Sequence, residues 1–139
     1  MNTKKIIINA GCFKSEDMSL AVSKDVSELD FKTAFSFYIE NVGMSVSELS
    51  MRSGVTERTI RRYRNESRGK DIKTIVALCI GLGLCLKRSL HLINLAGLSL
   101  TPTYEHNLYF LFLCNAYCSN LTVKDCNDIL VSNGYNPLV

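Results

Sequence analysis

Four arginines crowd the short stretch ERTIRRYRN (57–65): Arg58, Arg61, Arg62 and Arg64. A guanidinium group is a planar fork of N–H donors that stays charged, so it pairs with phosphate oxygens or with the O6 and N7 acceptors of guanine. Glu57, the only acid of the stretch, sits at its start, where a carboxylate suits the positive end of a helix. Between Arg52 and Lys73 there are eight Lys/Arg against Glu57, Glu66 and Asp71. The block carries a surplus of five on a chain of net charge +3, so the remaining residues are mildly acidic. Such asymmetry is an electrostatic footprint for phosphates. A charge run by itself is more often a solvated helix face; the turn beside this one favours the sharper reading.

That turn lies within MSVSELSMRSGVTERTIRRYRN (44–65), which reads as two short helices and a tight joint. Ser45 and Glu48 form a capping box, with Met44 and Leu49 at the staple positions. Gly54 ends the first helix, because a glycine reaches the left-handed conformation without a Cβ clash. Thr56 caps the second, and Val55 with Ile60 repeats the staple spacing. Ser50 is expected at the joint, where a bulky residue would push the helices apart. Ile60 and Tyr63 supply one apolar edge, and the basic residues take the other faces.

The pattern L-S-x-x-S-G-V-T-x-x-T-I-x-R-Y, from Leu49 to Tyr63, resembles the helix-turn-helix of the Xre/Cro, or lambda-repressor-like, DNA-binding regulators. Leu49, Gly54, Val55, Thr56, Thr59, Ile60 and Arg62 match the usual pattern. Ser50 stands where alanine is usual, and Arg64-Asn65-Glu66 replace the E-x-G turn that often follows. The stretches ERTIRRYRN…IKTIVALCIGLGL and TVKDCNDILVSNGYNPLV are similar to Xre proteins of the Gram-positive, clostridial type. The resemblance covers about residues 31–139 and does not extend to residues 1–30.

The resemblance implies a sequence-specific double-stranded DNA-binding regulator, a repressor by preference, with helix 56–65 in the major groove. Thr56, Glu57, Arg58, Thr59 and Arg62 then read base edges. Ser45 and Ser47, opening the first motif helix, present its N–H groups to a phosphate. Arg61, Arg64 and Asn65, with Arg68 and Lys70 beyond, grip the flanking backbone. The alternative is a helical protein-interaction module that keeps the fold without specific DNA binding; such a module has no need of four arginines on one short helix.

The remaining chain reads as further helices, making the protein mainly α. Phe31, Ala34, Phe35, Tyr38 and Val42 recur at helical spacing, which predicts a first helix over 31–42. Asp71 caps a helix through Ile72, Ile75, Val76, Cys79 and Ile80, which Gly81 and Gly83 stop. Leu86, Leu90 and Ile93 form the core stripe of a fifth helix, closed by Gly97. A five-helix repressor-like domain thus spans 31–97, followed by a helical extension over 98–139. In the extension, Thr101 is a cap with Pro102 at the first helical position. The run Leu108–Cys114 is apolar on every side and fits a buried helix or a buried strand. Thr122 and Asp125 form a second capping box, stapled by Leu121 and Cys126, and Gly134 ends the last helix. The arm 1–30 carries two strand-like runs, Lys4–Ile8 and Met18–Val22, which allow a hairpin or a disordered arm.

Cys114 and Cys118 stand one turn apart, with Cys126 eight residues on. C-x-x-x-C without a matched pair is a weak metal signature, so packing as small hydrophobes is the preferred reading. No metal and no cofactor are expected. His91 and His106 are isolated, and H-E-x-x-H, G-x-S-x-G and Gly-rich phosphate loops are lacking, which argues against an enzyme. The apolar run TIVALCIGLGLCL is too short to span a bilayer, and the start MNTKKIIINAGCF has too short an apolar run for a signal sequence. The expected setting is the bacterial cytoplasm, with DNA and a second copy of the chain as partners and no small-molecule ligand. Leu108–Leu113, needing cover on all faces, points to residues 98–139 as much of the homodimer interface, unless residues 1–30 fold over it.

Overall fold

Six helices each begin behind a side chain that accepts a backbone N–H of the first turn. The computed structural model describes residues 29–66, 69–117 and 119–139. Among these, α1 (Phe31–Val42) starts behind Asp30, α2 (Val46–Ser53) behind Ser45 and α3 (Glu57–Asn65) behind Thr56. Next, α4 (Ile72–Leu82) follows Asp71, α6 (Tyr104–Asn115) follows Thr103 and α7 (Val123–Ser132) follows Thr122. The seventh, α5 (Leu86–Leu95), begins behind Cys85, which makes no capping hydrogen bond. The described chain is therefore mainly helical, with seven helices and no strand. The two strand-like runs of the arm lie outside the described residues.

The apolar stretch of the sequence becomes the centre of the molecule. Every residue of α4 from Ile75 to Leu82 is buried, and α2, α5, α6 and α7 all pack against it. Meanwhile α1 lies against α3 and α5. One continuous hydrophobic core runs from Phe31 to Leu138. Among the described residues, no helix is long and apolar enough to cross a membrane.

Several local expectations need correction. Gly81 does not stop α4; the helix runs through it and turns only at Gly83, whose φ of 66° is left-handed. Thr101 is not a cap. Thr103 takes that role, accepting from the His106 N–H at 3.2 Å, while the Thr101 N–H donates to His106 Nδ1 at 2.9 Å. The helix therefore starts two residues later, and Pro102 stays outside it. On α5 the buried residues are Ser89, His91, Leu92 and Ile93, with Leu86 and Leu90 only half-buried. The helix carries leucines on two faces, and the sequence alone does not say which face turns inward.

The run Leu108–Cys114 forms a helix. Leu108, Tyr109, Phe112, Leu113 and Cys114 are buried, and the elements that pack on α6 are α4, α5 and α7 of the same chain. Phe110 is exposed and Leu111 half-exposed. The cover that suggested a partner copy thus comes mainly from the chain's own helices. Cys79, Cys85, Cys114 and Cys126 are buried, with Cys79, Cys114 and Cys126 in the interior as the packing reading expects, while Cys118 lies outside the described residues. Burial pushes the Cys79 thiol up to about 12 and raises Cys114 as well, so both stay protonated at neutral pH.

Candidate nucleic-acid interface

The α2–α3 joint is held by a serine that the sequence hides. Ser53 is fully buried; its Oγ donates to the Leu49 carbonyl at 2.7 Å and accepts from the Val55 N–H at 3.1 Å. It satisfies a backbone donor just past the helix end, where no helical partner remains. Gly54, at φ 77°, turns the chain between them. Ser50, expected as the small residue of the joint, is only half-buried and contributes its carbonyl to the Gly54 N–H. Gly54 alone marked the turn in the sequence, whereas Ser53 looked like any other helical serine.

At the start of α2, the Ser45 hydroxyl accepts from the Glu48 N–H at 3.0 Å. The Glu48 carboxylate instead pairs with Arg52 at 3.3 Å, one turn further on. Ser47 is exposed beside this helix start. At the start of α3, the Thr56 hydroxyl accepts from the Thr59 N–H at 3.2 Å and donates to the Thr59 hydroxyl at 3.0 Å. Both threonines are thereby engaged in capping the helix.

The apolar edge of α3 is Ile60 and Tyr63, both buried. At roughly 3.6 residues per turn, the opposite face carries Arg58, Arg61, Arg62 and Asn65. All four are exposed. Arg58 pairs with none of the described residues. Arg61 bonds Glu57 at 2.8 Å, both side chains being well exposed, so the pair contributes little stability and yields readily to a stronger anion. Arg62 reaches along the helix to the Gly69 carbonyl at 3.2 Å and stacks over the Tyr63 ring at 5.0 Å.

Two basic residues point elsewhere. Arg64 turns to α1, with Nε donating to Ser36 Oγ at 3.3 Å and a terminal nitrogen 3.8 Å from Glu40. Lys70 folds back over the aromatic edge, its ammonium 5.0 Å from the Phe31 ring centre and 4.7 Å from that of Tyr63, donating to the Glu66 carbonyl. Burial, and the Arg62 charge beside it, lower its pKa. Tyr63 also accepts from the Asp71 N–H at 3.1 Å, so the exit from α3 is fixed by aromatic and carbonyl contacts where an E-x-G turn is usual. Arg68 lies outside the described residues.

A hollow of about 250 Å³ gathers part of the expected backbone set. Val46 at the start of α2, Arg61, Arg64 and Asn65 of α3, and Ser36 of α1 line it. The start of α2 and three donors of α3 thus converge on one space, a geometry suited to a phosphate group. Ser36 was not foreseen; it lies off the apolar stripe of α1, and only the crossing of α1 with α3 brings it here. Of the expected base-reading residues, Arg58 and Arg62 lie on the open face, while Glu57, Thr56 and Thr59 are engaged at the helix start. Among the described residues, no group of three or more His, Cys, Asp or Glu could hold a metal ion. No protein-family model, curated protein or solved structure matches this chain.

Proposed function

We propose that the chain is a sequence-specific, double-stranded DNA-binding regulator of the Xre/Cro type, a repressor of the bacterial cytoplasm. In this reading α1 to α5 form the five-helix, repressor-like unit, and α3 enters the major groove. The observation that carries it is the outer face of α3: Arg58, Arg61, Arg62 and Asn65 exposed side by side on a helix anchored by Ile60 and Tyr63. Arg58 and Arg62 read base edges, with Glu57 available to a cytosine N4 once Arg61 turns to phosphate. The hollow between α1, α2 and α3 takes the phosphate that fixes the register. Ser47 adds a hydroxyl beside it. Lys70 serves the fold rather than the DNA backbone.

A single unit of this size reads few base pairs, so the working form is a homodimer on a pseudo-palindrome, its half-sites centred roughly 34 Å apart. Phe110 and Tyr117, exposed on and just past α6, offer apolar area to the second copy. The alternative, a helical interaction module without specific DNA binding, leaves the arginine face without a task. Selection of bound duplexes from a random pool by the full-length protein separates the two. A regulator enriches one half-site motif, repeated about one turn apart; a module enriches none.

A further inference from the structure

The chain that leaves α3 returns to touch one arginine of its outer face. Arg62 Nη1 donates to the Gly69 carbonyl at 3.2 Å, and the guanidinium stacks over the Tyr63 ring at 5.0 Å. A planar cation with a carbonyl at one edge and an aromatic face beneath it has few orientations left. The side chain is nevertheless exposed, so its remaining N–H donors are open to a ligand.

The loop is pinned to the same ring. The Asp71 N–H donates to the Tyr63 hydroxyl at 3.1 Å, and the Lys70 ammonium stands 4.7 Å from the Tyr63 ring centre. Tyr63 is buried in the core that seats α3, so loop and arginine are both referred to one fixed group. Two cations thus share one ring, close enough for the Arg62 charge to add to burial in lowering the Lys70 pKa. Their repulsion is offset by carbonyls, that of Gly69 for Arg62 and that of Glu66 for Lys70.

Gly69 suits this place for two reasons. Its φ of 69° lies in the left-handed region, which is costly for a residue with a Cβ. A Cβ there would also stand 3.3 Å from Arg62 Nη1. An alanine must either shift the loop or push the guanidinium aside, and each opens the carbonyl contact.

We propose that Gly69 is a positioning residue for base recognition: its carbonyl, with the Tyr63 ring, holds Arg62 in one orientation and so restricts the base it reads to guanine. The inference rests on the DNA-binding reading of α3. A guanidinium fixed in plane offers two parallel N–H groups only to acceptors that lie side by side in that plane, and guanine O6 and N7 are such a pair in the major groove. A loose arginine reaches phosphates and other bases as well. Ordering the side chain before binding also removes a cost otherwise met on the DNA.

Anisotropy titrations of the full chain test this, on a duplex selected from a random pool and on duplexes altered at the position that Arg62→Ala relaxes. The quantity read is the affinity ratio between selected and altered duplex. That position is expected to be a guanine, and Arg62→Ala lowers the ratio about tenfold or more. Gly69→Ala lowers it by roughly three- to tenfold, the scale of ordering one long side chain. Tyr63→Phe, which keeps the ring but removes the hydroxyl that holds the loop, lowers it in the same direction, and it carries the test alone should Gly69→Ala lose its helices by circular dichroism. In an Arg62→Ala background neither change has a further effect on the ratio, whereas a merely structural role lowers it in both backgrounds. An unchanged ratio, the same loss without Arg62, or a relaxed position other than guanine overturns the proposal. Nitrogen spin relaxation of the Arg62 Nε–H gives a reading without DNA: restrained in the native chain and mobile in Gly69→Ala. A mobile native side chain overturns the proposal. No preference for any duplex, with Arg62 restrained, overturns the DNA reading and the guanine assignment with it, while a preferred duplex with an indifferent Gly69 overturns this inference alone.

Discussion

Gly81 of α4 packs directly on Ser53 of α2: a Cβ built at position 81 meets the Ser53 Cβ at 3.0 Å and its backbone at 3.2 Å. At this crossing the helix that carries the joint to α3 meets the central helix backbone against backbone. Gly81→Ala gains up to about 1 kcal/mol of helix propensity but must push α2 away, at a cost of about 1–3 kcal/mol. A net loss of stability by urea titration is expected. A more stable Gly81→Ala protein would show that α2 does not sit this closely.

Ser53→Ala removes the acceptor of the buried Val55 N–H without creating a large cavity. A buried donor left unpaired costs about 1–3 kcal/mol. The urea midpoint should fall by that amount while the slope of the transition stays the same. A loss below about 0.5 kcal/mol, the range of an ordinary surface change, would show that Ser53 is not what holds the joint.

The caps, not the packing, are what the sequence displayed. Ser45, Thr56, Asp71 and Thr122 cap as their spacing predicts, and Thr122 with Asp125 forms the full reciprocal box. Capping is a local transaction among four residues, so four residues suffice to read it. Thr101 failed against Thr103 because both precede a plausible first turn, and His106 chose between them. Gly81 failed as a stop because a close helix crossing demands glycine as readily as a turn does. Ser53, Ser36 and the inward Lys70 depend on contacts between elements distant in sequence, which no periodicity encodes. The outer arginines of α3 were legible because Ile60 and Tyr63 fix the inner edge.

Tyr38 and His91 set a pH dependence. Burial keeps the Tyr38 phenol protonated and lowers the His91 pKa below its ordinary 6.5. The phenol lies 2.7 Å from His91 Nδ1, so it donates there, and His91 Nε2 is buried without a partner among the described residues. The unfolded chain then binds a proton that the folded chain resists. Stability is fully present above about pH 6.5, the ordinary histidine value, and falls as the pH drops below it. His91→Leu should flatten that part of a stability-against-pH profile; an unchanged slope would assign the dependence to other groups.

Arg61 and Lys70 should separate in salt titrations. Arg61→Ala is expected to weaken every duplex similarly and to reduce the slope of log affinity against log salt by about one unit. Lys70→Ala should leave the slope unchanged and lower stability by about 1 kcal/mol, the scale of a lost cation–π contact. A reversed outcome would mean that Lys70 leaves the Phe31 and Tyr63 rings to meet phosphate.

Arg58 carries the most direct test of DNA reading, because it is exposed on the outer face of α3 and pairs with none of the described residues. The measurement is fluorescence anisotropy of the full chain and of Arg58→Ala, on a duplex selected from a random pool and on its scrambled counterpart. The expected result is tight binding of the selected duplex by the native chain, with Arg58→Ala losing about 1–3 kcal/mol on that duplex and far less on the scrambled one. Equal affinity of the native chain for both duplexes, or no binding to either, would contradict sequence-specific recognition through α3.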